Sequence, residues 1–312
     1  MKFASVLTSS LAAIALFSGA PTIAQESWPT PVPVAETPPP PADATGVPAL
    51  WKLADDDTTI YLFGTVHMLP MGVPWNTGPI KDALENSDTL VTEIDMSPEK
   101  AGEIAKLFEA KGTLPKGKTL RGLMSAEQRA RYEAGLAKIG VPAEAFDELE
   151  PWLASIVLGQ IVAQASGFDP ALGVEEVLEE RAPAGIERDA LETIEFQLSV
   201  FDGLPINQQI LYLLEGAEDP AEGVTVLNDL VDLWSQGRVE SLGKLMNEGF
   251  SAHPNLGERL LYQRNATWAE WIDNRMDLPG TVFVAVGTGH LAGERSVQDY
   301  LEERGFVTMR VQ

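Results

Sequence analysis

The sequence predicts a mixed α/β (α+β) fold: a central β-sheet formed by N- and C-terminal strands, interrupted by a large helical insert. Three observations point to it. β-branched and aromatic runs cluster at the two ends of the domain, as "TIYLFGT" and "DTLVTEID" near its start and "TVFVAVG" and "FVTMRV" near its close. The roughly 170 residues between them instead space their apolar side chains at three and four, the period of helices. Finally, two strand-like runs far apart in the chain end alike, "YLFGTVHML" and "FVAVGTGHL", each placing Gly-Thr-x-His at its exit.

Taken in order, residues 1–24 read as a signal peptide. Lys2 precedes the short apolar run "SVLTSSLAAIALFSGA", and "PTIA" offers a small-residue cleavage point after Ala24. The run is too short for a comfortable membrane span, so the expected location is periplasmic or secreted, with no stable membrane insertion after cleavage. Residues 25–48 are crowded with proline and read as a disordered, extended linker of polyproline II character. The domain is expected over residues 49–312, with a sheet core from about 49–95 and 280–312 and a helical lobe over about 96–279.

"ALWKLADDDTTIYLFGT" predicts two strands joined by an acidic turn at Asp55 to Asp57. A Pro- and Gly-rich loop and a short helix in "PIKDALENS" follow, then a strand over Asp88 to Ile94. "SPEKAGEIAKLFEAKG" predicts a serine-capped helix with Pro98 in its first turn. Further helices are predicted over Ser125–Ile139, Pro151–Ala165, Val174–Arg181, Glu192–Phe201, Asn207–Gly216, Gly223–Gln236 and, as one long element, Leu256–Met276. "GIERDALET" has room for a short strand before Glu192. The chain closes with a strand over Thr281–Val286, a helix over Ser296–Glu303 and a strand over Phe306–Val311.

Composition narrows the function. With 46 acidic and 22 basic residues the net charge is −24, which repels phosphate backbones, so nucleic acid is not an expected partner. There is no cysteine, which excludes disulfides, thiolate metal sites, a cysteine nucleophile and lipoprotein acylation.

Two of the three histidines, His67 and His290, occupy equivalent places just past apolar strands, whereas His253 has no such context. Ligand sites of open α/β sheets lie outside the carboxyl ends of the strands. If the two strands are neighbours, both imidazoles reach one site; taken singly, each would be an ordinary packed and hydrogen-bonded histidine. Two imidazoles at one rim suit a transition metal, and such a pair usually wants a carboxylate. Glu93, near the end of the next strand, is the leading candidate, with Asp95 as its substitute and Glu175 and Glu192 as weaker ones. In "LLYQRNATWAEWI", Arg264 and Asn265 break an apolar stretch. Arg264 is either a surface partner for an acid or a crevice residue that stabilises an oxyanion.

With these residues in place, the chain resembles the TraB/GumN family, which also takes in the TIKI proteases and pheromone-shutdown proteins. The resemblance rests on "LWKL…YLFGTVHMLP", "LVTEID", "LETIEFQ", "RN" at Arg264 and Asn265, and "VFVAVGTGHLAGERSVQDYLEERGF", and spans roughly Leu50 to Val311. It implies an erythromycin esterase/ChaN-like fold and site residues His67, Glu93, Arg264 and His290. It also implies hydrolysis by a metal-dependent, peptidase-like enzyme acting on a peptide or a small ester or amide. His67, Glu93 and His290 would hold Mn, Co or Zn, and the metal would activate water. Two positions depart from the pattern: Glu175 stands where relatives often have aspartate, and Gln263 where an acid often precedes the arginine. A metal-free, esterase-like hydrolase with His67 and Glu93 activating water is the alternative. A non-enzymatic binder of a peptide, polysaccharide precursor or haem, using Trp268 and Trp271 as a groove, is the third.

Overall fold

The structure is a computed structural model that describes residues 47–251 and 254–312. The expected signal peptide, nearly all of the expected linker, and His253 lie outside the described residues.

The first two strands form as the pattern requires: β1 is Leu50–Ala54 and β2 is Thr58–Thr65. Their turn is closed by Asp55, whose Oδ1 accepts hydrogen bonds from the Asp57 and Thr58 amides at 3.1 and 2.8 Å. Helix α1, Gly78–Glu85, has proline in its first turn, and β3 is Thr89–Ile94. Helix α2 spans Ala101–Gly112 rather than starting at Ser97, because the Lys100 and Ala101 amides close three-residue turns on Ser97 and Pro98. Helix α3, Ala126–Lys138, is capped reciprocally by Ser125 and Gln128, and α4 is Pro151–Ala165. Helix α5, Val174–Arg181, precedes β4, Glu187–Glu192, the strand for which "GIERDALET" left room.

Helices α6 (Ile194–Asp202), α7 (Ile206–Glu218) and α8 (Pro220–Ser235) follow. Helix α9, Val239–Ser251, was not anticipated. Gly243 and Gly249 interrupt its pattern, yet Leu242, Met246 and Phe250 recur every four residues and are buried. The long helix expected over Leu256–Met276 is broken into α10 (Pro254–Gly257), a π turn at Glu258–Tyr262 and α11 (Gln263–Met276). The chain ends with β5 (Gly280–Gly287), a 3-10 turn at Thr288–Leu291, α12 (Val297–Glu303) and β6 (Met309–Arg310). The last strand is shorter than expected, because Val307, Met309 and Val311 stay exposed and have no face to bury.

The six strands form one mixed sheet in the order β4-β3-β5-β2-β1-β6. β4, β3, β5 and β2 run parallel; β1 and β6 join antiparallel. The N- and C-terminal runs therefore do share a sheet, with β2 and β5 side by side from Thr58↔Gly280 to Thr65↔Gly287. One face buries Ile60, Leu62, Val282 and Val284 under Trp268 and Ile272 of α11 and Leu301 of α12. At roughly 1.5–3 kcal/mol per large apolar side chain buried, this layer is the main source of the sheet's stability.

The described chain divides into two compact units. One comprises Met96–Phe168 and Ile194–Leu227 and is helical, with α4, α6 and α7 packed around Trp152 and Phe201. The other comprises residues 47–95, Asp169–Thr193 and Asn228–Gln312, and holds the whole sheet. The expected helical lobe of 96–279 is therefore divided. Residues 169–193 and 228–279 belong with the sheet, because β4 pairs with β3 and α11 covers the sheet's apolar face.

Candidate active site

Because four neighbouring strands are parallel, their carboxyl ends meet at one edge. β2 delivers His67 two residues past its last pair, and β5 delivers His290 three residues past its own. The two Gly-Thr-x-His segments are thus offset by one residue. Gly64 of the first lies against Thr288 of the second; an added Cβ would sit 2.8 Å from Thr288 Oγ1 and 3.1 Å from its Cα, so the close approach needs glycine. Glu93 is next to last in β3, and Glu192 is last in β4. The π turn ends immediately before Gln263 and Arg264 of α11.

Arg264, only 2% exposed, is the hub. Its Nε donates to Glu192 Oε1 at 2.7 Å, and its Nη2 to Glu93 Oε2 at 2.5 Å and Glu192 Oε2 at 3.0 Å. Its Nη1 donates to the Leu260 carbonyl at 2.9 Å and to His290 Nε2 at 3.1 Å. A guanidinium has five N–H donors, and all five are engaged. Arg264 is therefore neither a surface residue nor a free oxyanion donor; it ties three strand ends to α11. Its ring neighbour Trp268, 4.7 Å away, donates to Glu192 Oε1 at 2.9 Å. Trp268 is a core residue that also braces the site, and Trp271 packs partly buried against the same core.

Glu93 is 6% exposed, whereas Asp95 lies exposed. Burial pushes the Glu93 carboxyl up, but Arg264, the two histidines and the Gly287 amide at 2.7 Å outweigh it and hold it below the usual carboxylate value. Burial pushes Glu192 up, with Glu93 adding to the push, so Glu192 is the member of this pair that takes up a proton first.

His290 has no free nitrogen. Asn265 gives its side-chain N–H to the Arg295 carbonyl at 2.8 Å, which turns its Oδ1 toward His290 Nδ1 at 2.5 Å. Nδ1 must then carry the proton, and Nε2 accepts from Arg264. Burial and the adjacent guanidinium lower its pKa to about 3, so this ring is neutral. Its face lies 4.2 Å from the Trp268 ring.

His67 is the opposite case. Its Nδ1 lies 2.7 Å from Glu175 Oε1, close but out of line, and its Nε2 is buried with no partner among the described residues. Glu175 Oε1 also accepts from Thr65 Oγ1, while its Oε2 is buried and unpartnered. Burial alone would lower the His67 pKa; the charge of Glu175 at 2.7 Å, with help from Glu93, raises it above 6.5. The N-terminus of α5 is held against this segment by the Val174 amide, which donates to Val66 O at 2.9 Å. A Cβ at Gly173 would sit 2.2 Å from His67 O.

The structure thus brings His67, Glu93, Arg264 and His290 to one edge, as the strand pattern required. Glu175 and Glu192, which the sequence ranked below Glu93, stand directly in the network. The Thr65 hydroxyl and the Gly287 amide were not anticipated, although both belong to the repeated Gly-Thr segments.

A metal held by His67, Glu93 and His290 does not fit this arrangement. His290 Nε2 already accepts a hydrogen bond from Arg264, both Glu93 oxygens are engaged, and the guanidinium supplies the positive charge between them. Among the described residues no group of three His, Asp or Glu side chains is disposed to hold a metal ion.

Comparison with known proteins agrees with the segments that build this edge. An uncharacterized protein from Treponema pallidum (strain Nichols) is 21% identical over 275 residues, 81% of this chain and 80% of the relative. No solved structure gives a significant match. The model of the TraB/PrgY/gumN family matches residues 49–310, both Gly-Thr-x-His segments included, and the chain belongs to that family.

Proposed function

We propose that the protein is a hydrolase of peptide, amide or ester bonds that uses His67 as its general acid and base. The observation that carries this reading is the buried, unpartnered Nε2 of a histidine whose other nitrogen faces a carboxylate. Such a ring removes a proton from water while the water oxygen bonds to the acyl carbon. It then returns that proton to the leaving nitrogen or oxygen as the acyl bond breaks. Glu175 steadies the imidazolium formed between the two steps. Arg264, Glu93, Glu192 and His290 act as the frame that fixes the strand ends. The signal-like sequence of residues 1–24 supports an activity in the periplasm or outside the cell.

Hydrolysis of a fluorogenic peptide library and of aryl esters, in excess EDTA, tests the reading. His67→Gln is expected to lower kcat about 10²- to 10⁴-fold, the usual worth of a positioned acid–base group. Metal analysis of the wild type and of His67→Ala/His290→Ala runs beside it. Stoichiometric Mn, Co or Zn in the wild type alone, with activity abolished by EDTA, would replace this mechanism with the metal-dependent one.

A further inference from the structure

A cleft of about 260 Å³ opens beside the segment that follows His67. One wall is the loop Leu69–Thr77, which starts two residues after His67. The other is formed by Leu172 and by α5, on which Val177 follows Glu175 by two residues. Val73, Pro74, Leu172 and Val177 supply an apolar part of the walls beside polar groups of Asn76, Thr77 and Arg181, and Met71 on the same loop is 87% exposed.

Two polar groups in this cleft lack partners. Asn76 Oδ1 is buried and accepts no hydrogen bond. Arg181, exposed at the end of α5, has no ion pair or hydrogen bond among the described residues, although Arg121, Arg131, Arg188, Arg264, Arg295 and Arg304 all pair with acids. In a chain of net charge −24, an exposed guanidinium with no acid of its own at the mouth of this cleft is free to take an anion from outside. An orphan acceptor, an apolar wall and a planar cation together complement an N–H, an apolar side chain and a carboxylate, the groups at the end of a peptide.

We infer that the cleft is a subsite for the carboxyl-terminal residue of a peptide substrate, with its α-carboxylate on Arg181, its amide N–H on Asn76 Oδ1 and its apolar side chain against Val73, Pro74, Leu172 and Val177. This rests on the proposed hydrolase reading and specifies its substrate: an acyl bond near the free carboxyl end of a peptide with an apolar last residue.

Isothermal titration of the full chain with acetyl-alanyl-leucine and with its carboxyl-terminal amide tests the assignment. The acid is expected to bind roughly threefold to fivefold tighter than the amide, the worth of one exposed charge pair, and the margin is expected to shrink with added salt. Arg181→Gln, an exposed residue without contacts to lose, is expected to erase the preference. Equal binding of acid and amide, no binding of either, a preference that survives Arg181→Gln, or inorganic phosphate competing as well as the peptide acid would each overturn the subsite. Repeating the titration on His67→Gln separates the two claims. An Arg181-dependent preference without any hydrolysis leaves the subsite standing and removes the hydrolase; hydrolysis without the preference does the reverse.

Discussion

Replacing Arg264 with leucine removes the one cation shared by two buried carboxylates. The Glu93 and Glu192 side chains are 7% and 4% exposed, so water cannot take the place of the guanidinium. Breaking a buried ion pair on one side costs about 3–5 kcal/mol. At roughly 2–4 °C per kcal/mol for a unit of this size, Tm should fall by about 6–20 °C at neutral pH. In the wild type, Glu93 is held below its ordinary value of 4.5. Its ion pair therefore stabilises the fold above that pH and is lost as pH falls through the lowered value. In Arg264→Leu burial loses its main counterweight and raises both carboxyls, so the folded variant loses stability as pH rises and recovers it as they protonate. The gap between the two proteins should be widest at neutral pH and close toward pH ~4.5. Near-ultraviolet circular dichroism melts across this range read both quantities. A variant melting within about 2 °C of wild type at neutral pH, or a gap that does not narrow on acidification, would refute the assignment of Arg264 as the tie of the site.

The acid limb of the pH–rate profile should lie above 6.5 in the wild type and drop below it in Glu175→Gln, because burial then acts on His67 without the carboxylate; an unmoved limb removes Glu175 from the mechanism. His290 should remain the neutral, Nδ1-protonated tautomer throughout pH 5 to 8, read from its ring nitrogen chemical shifts, in keeping with its pKa of about 3. Gly64→Ala should destabilise the fold by about 1–3 kcal/mol in denaturant titrations, since the new methyl meets the Thr288 backbone at 3.1 Å as well as its side chain; wild-type stability would show that the two strand exits are not in contact.

The sheet was legible because its strands are short β-branched runs, and the repeated Gly-Thr-x-His raised a shared site on condition that β2 and β5 were neighbours, which their pairing meets. What pattern could not reveal was the partner each ring would find. His67 and His290 look equivalent in the chain. One residue of register offset, together with Asn265 and Arg264 arriving from α11, makes one ring fully bonded and leaves the other with an open nitrogen. Glu192 and Glu175 were hard to single out for another reason: in a chain with 46 acids, a carboxylate has no visible context until the fold excludes water around it. The split of the helical stretch was not legible because β4 pairs with β3 and α11 covers the sheet from within a run of sequence that reads as helical.

The parallel pairing of β2 with β5 has a consequence for how the molecule comes into being. Glu93 accepts a hydrogen bond from the Gly287 amide 194 residues away, and Arg264 must arrive from in between. During synthesis the opening strands must therefore wait, unpaired on one side, until β5 leaves the ribosome. Contacts of such long sequence separation are slow to form. A nascent chain stopped ahead of β5 would display β2 as a bare apolar ribbon, a ready target for chaperones and proteases.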